Sequence, residues 1–220
     1  MKKTAILVDG GFYRRVAYSI YGDIGPIERA DELVAYCKRH INDKHEDREL
    51  YRVFYYDCLP SDKKVYHPLL KRQVDLSRTE IYSWMISFVE ALKSKRKFAL
   101  RMGTLSEERL VYNLKYSALK KLYNNSVTID TLTESDFELN IEQKGVDMRI
   151  GLDIASLAYK KQVDQIILIS GDSDFVPAAK LARREGIDFI LDPMRQHIRP
   201  DLFEHIDGMQ TRTPSPKPQQ

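Results

Sequence analysis

The 220-residue chain is 43% hydrophobic and 30% charged, enough apolar material for a sizeable core, and its length favours one domain with insertions over two complete domains. A net charge of +3, from 35 basic against 32 acidic residues, is too mild to mark a nucleic-acid binder by itself, because a local patch matters more than the total. No run of about 18 apolar residues offers a membrane span, and two cysteines without a CxxC pair argue against zinc and against a disulfide framework and suit a reducing cytoplasm.

Lys2 to Val8 reads as a first strand that ends at Asp9-Gly10-Gly11. Its apolar run, Ala5 to Val8, is too short for a secretory h-region and leads straight into an acid. Leu50 to Tyr56 (LYRVFYY) is a second β-rich run, ending at Asp57. Ser77-Arg78-Thr79-Glu80 has the form of a capping box, and behind it Ile81, Trp84, Met85, Phe88, Val89 and Leu92 recur at helical spacing. The basic run KSKRK, Lys93 to Lys97, reads as a solvated helix end or as an RNA contact. Phe98 to Met102 is a shorter strand candidate. The stretch 103–136 reads as an insertion in which Ser106 to Tyr123 could form a helix.

Phe137 to Ile141 is a further strand at an edge, followed by a helix from Val146 to Lys161 with Ile150, Ile154, Leu157 and Ala158 on one face. Ile166 to Ile169 is the strongest strand, and a helix from Asp174 to Glu185, closed by Gly186, leads to the strand Phe189 to Leu191. From residue 137 onward the alternation of strand and helix predicts parallel strands with crossover helices. The expected architecture is an α/β domain over residues 1–208, a parallel sheet sandwiched by helices with an insertion around 103–136. Residues 209–220 are expected to be a disordered tail: TRTPSPKPQQ lacks apolar anchors, so removing residues 211–220 should cost little stability.

In a parallel sheet the carboxyl ends of the strands share one edge, where ligands bind. Asp9, Asp57 and Asp172 each follow a predicted strand at that edge, Asp174 lies in the same turn as Asp172, and Asp147 opens a helix that starts there. Carboxylates gathered so closely repel one another unless a cation compensates. Hard oxygen ligands suit magnesium or manganese. Each acid also has a plainer role: Asp174 could cap the helix that follows, Asp147 could be a solvated helix start, and Asp9 could make a simple turn before two glycines. Asp153 lies roughly 9 Å further along the helix than Asp147 and could join the site only if the helix begins late or a metal position lies deep.

These segments resemble a known family. VDGG (Val8 to Gly11), KGVD (Lys144 to Asp147), the later Asp153 and SGDSDF (Ser170 to Phe175) are similar to the NYN domain, in the LabA-like branch of the PIN-like nucleases, and FYYD (Phe54 to Asp57) matches a strand end often found in that branch. The resemblance runs in order over residues 3–192. It implies a Rossmann-like, PIN-type fold and a ribonuclease dependent on Mg²⁺ or Mn²⁺, with Asp9, Asp147, Asp172 and Asp174 catalytic and metal-binding and Asp153 a further metal-ligand candidate. One departure stands out: many relatives carry an asparagine shortly after the first acid, where this chain has Gly11 and Phe12.

Cations near the acids would hold phosphate. Lys144, Arg149, Arg14 and Arg15 each follow an edge motif closely, and Ser170 and Ser173 could donate to phosphate, although no histidine partner marks either as a nucleophile. Lys144, Arg149, Ser170 and Arg14 form the expected substrate-binding set. Thirteen tyrosines offer rings for unpaired bases, although Tyr51, Tyr55 and Tyr56 sit in a strand pattern. The reading is a metal-dependent endoribonuclease acting on single-stranded or structured RNA, without a membrane and with a homo-oligomer left open. The alternative is a catalytically weak or silent module that binds RNA, a nucleotide or a protein on the same fold. A phosphatase fits less well, because no second acid follows Asp9 at DxD spacing.

Overall fold

Runs such as Ala5–Val8 and Ile166–Ile169 carry apolar side chains at every position, which suits a strand covered on both faces. The computed structural model describes residues 1–214, apart from the side chains of 107–109. In chain order the elements are β1 (Lys2–Asp9), α1 (Gly10–Tyr21), α2 (Pro26–Ile41), β2 (Arg48–Cys58), β3 (Lys64–His67), β4 (Arg72–Asp75), α3 (Glu80–Lys93) and β5 (Phe98–Leu114). They continue as α4 (Tyr116–Tyr123), β6 (Phe137–Lys144), α5 (Val146–Tyr159), β7 (Gln165–Ile169), α6 (Val176–Arg184), β8 (Asp188–Asp192), α7 (Pro200–Phe203) and β9 (Gly208–Met209).

The chain divides into two compact units. The first comprises Met1–Cys58, Ser87–Gly103 and Gly145–Gln220. Its strands lie in the order β5-β2-β1-β7-β8-β9, and every neighbouring pair is parallel. Helices α1, α2, α5 and α6 flank this sheet. The middle strands are fully buried from Ala5 to Val8 and from Ile166 to Ile169, and α5, which packs against β1 and β2, buries Ile150, Ile154, Leu157 and Ala158. Register decides what stands at the sheet edge: Val8 pairs with Ile169, and Asp9 pairs with Tyr56, so Asp57 lies one step beyond.

The second unit comprises Leu59–Ile86 and Thr104–Lys144. It holds the antiparallel pair β3–β4 and an antiparallel ladder in which the later part of β5 meets β6, from Thr104 opposite Lys144 to Leu114 opposite Phe137. Tyr112 and Phe137 pack on the buried His67 ring, with centroids 4.4 and 5.1 Å away. Among the described residues no helix is long and apolar enough to cross a membrane.

Several expectations change here. The helix expected over Ser106 to Tyr123 is replaced by the continuation of β5 to Leu114, and only α4 is helical, because pairing with β6 captures the segment as strand. Phe137–Lys144 runs antiparallel to β5, so it does not begin a parallel crossover unit. The helix start at Ser77 moves to Thr79, whose hydroxyl accepts from Tyr82 N at 3.2 Å, while Ser77 serves a preceding 3₁₀ turn capped by Asp75. Ile81 is 75% exposed and does not share the buried face of Met85, Phe88, Val89 and Leu92.

The tail is also held further than its composition suggested. Met209 pairs with Leu191, Gln210 N donates to the Leu191 carbonyl at 2.9 Å, Arg212 forms an ion pair with Asp43, and the buried Thr213 hydroxyl accepts from Arg195 Nε at 2.7 Å. Polar partners provide the anchoring that apolar residues do not. The remainder of the expected tail, 215–220, lies outside the described residues.

Candidate functional site

Acids stand at or just past the carboxyl ends of four parallel strands: Asp9 on β1, Asp57 on β2, Asp172 after β7 and Asp192 on β8. Asp9 caps α1. Its Oδ1 accepts from Phe12 N at 3.1 Å and its Oδ2 from Ser170 Oγ at 3.1 Å. Ser170 Oγ in turn accepts from Asp172 N at 3.3 Å, and Asp172 Oδ1 from Asp174 N at 3.0 Å. A chain of hydrogen bonds thus ties the end of β1 to the turn after β7. Gly171 lets that turn approach α1, since a Cβ there would meet the Phe12 ring at 3.0 Å.

The charges in this region oppose one another. Burial pushes the Asp9 carboxyl above its ordinary range, and Asp147 and Asp57 add to the shift, against the hydrogen bonds from Phe12 and Ser170 that lower it. Asp147, exposed in the first turn of α5, is likewise raised, first by loss of water and then by Asp172 and Asp174. Asp9, Asp147, Asp172 and Asp174 therefore share one electrostatic environment, and among the described residues no lysine or arginine forms an ion pair with any of them. Asp174 does not cap α6, whose N-cap is Phe175 without a side-chain bond; Asp172 caps the 3₁₀ turn before it.

Other candidates have protein partners. Asp153 accepts from Tyr56 Oη at 2.8 Å and Arg101 Nε at 3.0 Å, so an arginine already supplies its counter-charge. Arg14 is not available for phosphate: its Nε and Nη2 reach the two Asp57 oxygens at 2.9 and 3.0 Å. Burial works against the Arg14 charge, but Tyr55 and Asp57 outweigh it and hold its pKa higher than usual. Ser170 is fully buried and positions Asp9 rather than facing solvent. Arg149 is exposed on α5, close in sequence to Asp147. Lys144 ends β6 in the second unit, opposite Thr104. In the basic run after α3, Lys93 pairs with Glu90 and Lys95 with Asp31, as a solvated helix end would.

Sequence reasoning placed Asp57 at the edge but missed its partners, and it missed the group around Asp192. Asp57 is fully buried and also accepts from Tyr55 Oη at 2.7 Å and Cys58 N at 2.8 Å. Gly10 makes room for that group, because a Cβ there would lie 2.5 Å from Tyr55 Oη and 2.6 Å from Asp57 Oδ2. Asp192, also fully buried, accepts from the Tyr36 hydroxyl, from Met194 N at 2.7 Å and from His40 Nε2 at 2.7 Å. Burial holds the His40 ring below its usual pKa despite Asp192, and among the described residues its Nδ1 is buried with no partner. The acid at the strand end was the only local hint of either group.

A divalent cation suits the donor set of Asp9, Asp147, Asp172 and Asp174 by its chemistry: all are hard oxygens, and burial, with like charges adding to it, raises two of the four. The side chains are not already gathered as ligands, since among the described residues no group of three or more His, Cys, Asp or Glu could hold a metal ion as it stands. The Asp172 carboxylate would have to share or release its bond to Asp174 N.

A parallel sheet flanked by helices, with acids at or just past the carboxyl ends of its strands, defines a Rossmann-like α/β protein. Residues 76–200, more than half of the chain, match the NYN domain. The chain belongs to the NYN domain family, whose fold is PIN-like and nuclease-type. The matched segment contains Asp147, Asp153, Ser170, Asp172 and Asp174 and leaves Asp9 outside it. No curated protein matches the chain. A crystal structure of a protein of unknown function from Vibrio parahaemolyticus is similar at 15% identity and a TM-score of 0.48, over 96% of this chain and 93% of that one.

Proposed function

We propose that the protein is a metal-dependent endoribonuclease of the LabA-like branch, and that Asp9, Asp147, Asp172 and Asp174 hold Mg²⁺ or Mn²⁺. The observation that supports this reading is that Asp9 and Asp172 are tied together through Ser170 at the sheet edge while, among the described residues, no lysine or arginine forms an ion pair with any of the four acids. A pure RNA binder gains nothing from clustered negative charge facing phosphate. The bound ion would supply charge neutralisation at the scissile phosphate and a water of lowered pKa.

The protein's own residues supply position. Phe12 N and Ser170 Oγ fix the two oxygens of Asp9, so its carboxylate cannot swing freely. The Asp174 amide orients Asp172 from inside the same turn. Arg149, exposed near Asp147, would meet a phosphate flanking the cleaved bond. Hydrolysis adds water oxygen to phosphorus and breaks the bond to the 3′ oxygen, leaving a 5′-phosphate and, after protonation, a 3′-hydroxyl. The water proton leaves to a carboxylate or to solvent.

The alternative is a silent binding module. It is favoured by Gly11 and Phe12, which stand where many relatives carry asparagine, the Phe12 ring filling the space a Cβ on Gly171 would need and offering no polar group. The deciding experiment incubates purified protein with structured and unstructured RNA in Mn²⁺, Mg²⁺ or EDTA, beside Asp172→Asn. Asparagine caps about as well as aspartate, so the fold should survive. Cleavage should need metal and fall by at least about 100-fold in the variant, the upper end of what loss of a supporting group already costs. Equal cleavage by Asp172→Asn would assign the activity to another site. No metal-dependent cleavage by the parent would move the binding module ahead.

A further inference from the structure

Within the second unit, β6 has β5 as its neighbour on one side, and among the described residues no strand pairs with its other side. An uncovered strand edge presents a row of backbone N–H and C=O groups to anything that can pair with it. One bond fixes which residues aim those groups outward. Lys115 N donates to the Asp136 carbonyl at 2.8 Å, so that carbonyl points at β5 and the Phe137 N–H of the same planar peptide points away. Alternation along the strand then turns the backbone of Phe137, Leu139 and Ile141 outward. The register shift against β5 falls between Ser106 and Val111, where β6 contributes only Ile141, so the extra residues are on β5 and the alternation of β6 is unbroken. Its side chains alternate too: Phe137, Leu139 and Ile141 are half-buried on one face, and Glu138, Asn140, Glu142 and Lys144 are exposed on the other. Residues 137–144 contain no proline or glycine to blunt the edge.

We propose that this edge pairs with the same edge of a second copy of the chain, antiparallel about a twofold axis through Ile141. In that register Ile141 meets Ile141 of the second copy, and the two exchange both backbone bonds. Glu138 then stands opposite the second copy's Lys144, and Asn140 opposite its Glu142. Symmetry repeats each pair, so both lysines meet glutamates. Moving the axis by one residue loses this match: at Asn140 it sets Glu138 opposite Glu142, and at Glu142 it sets that glutamate opposite itself. Like charges directly opposite are destabilising, so the exposed side chains select the register at Ile141. This match of the edge to itself is what favours a second copy over an unrelated strand, which the backbone alone would recognise. The contact is also closed: each edge covers the other, and no third chain can add.

The test is sedimentation velocity of the full-length protein over a concentration series. The parent should pass from the 25.6 kDa chain to twice that mass as concentration rises. Glu138→Lys should raise the dissociation constant at least about 10-fold, since two like-charge contacts replace two opposite-charge ones. Lys144→Glu should do the same. Mixed in equal amounts, the two variants should recover the parent's dimer, because each lysine of one copy then meets a glutamate of the other. Ile141→Pro removes an N–H that faces away from β5 and should leave the protein monomeric. Circular dichroism checks the fold of each variant, and the charge variants, at exposed positions, carry the test if the proline unfolds the edge. A parent that stays monomeric up to about 100 µM overturns the proposal, since self-association of about micromolar strength would be nearly saturated there. Parent-like dimerisation of either charge variant would overturn it too, as would a mixture of the two that stays monomeric.

Discussion

Asp9 and Asp57 end neighbouring strands, yet they have opposite surroundings. Asp57 is fully buried and meets both arms of Arg14, the Tyr55 hydroxyl and an amide. Asp192, at the end of β8, is similarly enclosed by Tyr36, His40 and Met194 N. Asp9 instead shares its environment with other carboxylates, and Asp147 with two more. The same strand-end position can thus serve structure or leave charge to be met from outside. Among the described residues Asp9 has only a backbone amide and the Ser170 hydroxyl as donors. What separates the two sets is whether a side chain from a helix packed beside the strand, Arg14 or the pair Tyr36 and His40, meets the carboxylate.

The largest effect should come from breaking an enclosed acid. Arg14→Met leaves Asp57 buried with a charge that hydroxyl and amide donors only partly offset. Urea unfolding should show a loss of about 3 kcal/mol, the low end for a broken buried pair because part of Arg14 reaches water. An unchanged midpoint would remove Asp57 from the enclosed set.

The Asp192 group should instead respond to pH. Burial lowers the His40 pKa below its ordinary 6.5, so the unfolded chain takes up a proton first as the solution is acidified. Stability contributed by the neutral ring is intact above about pH 6.5 and is lost as pH falls toward the lowered value, with a slope of at most about 1.4 kcal/mol per pH unit. His40→Gln should be less stable at pH 7 but show a flatter profile below 6.5. A parallel profile in parent and variant would assign the acid sensitivity elsewhere.

The smallest effect sharpens the other side of the comparison. Asp147→Asn removes one of several mutually repelling charges, so in EDTA at pH 7 the melting temperature should rise by about 1–2 °C, corresponding to roughly 0.5 kcal/mol for an exposed like-charge contact. The raised carboxyl takes up its proton more readily in the folded state, so the parent recovers stability as pH falls and the gap closes. Added Mn²⁺ should close it from the other direction by stabilising the parent alone. A fall in melting temperature at pH 7 in EDTA would show that Asp147 is stabilised by contacts other than those described.

Local sequence was sufficient wherever a pattern reports burial on both faces. Ala5–Val8, Ile166–Ile169 and Phe189–Leu191 could be read as strands because parallel strands are covered above and below, and Ile150, Ile154, Leu157 and Ala158 as one helix face because their period is helical. The acids after those strands were legible for the same reason, as the residues where an apolar run has to stop. The extent of β5 was not, since its later part is strand by virtue of pairing with β6. Nor was the cap at Thr79, because Ser77-Arg78-Thr79-Glu80 contains two hydroxyls able to do the work.

The partners of the acids lay beyond any local reading. Arg14 meets Asp57 across a sequence separation of 43, and Tyr56 and Arg101 meet Asp153 across 97 and 52. From sequence alone, then, the order of strands and helices and the acids that punctuate them were determined, because spacing along the chain reports which residues avoid water. Which carboxylates are neutralised by the protein, and which are not, was decided only by tertiary structure, because strand register and helix packing set the distances through which charges act.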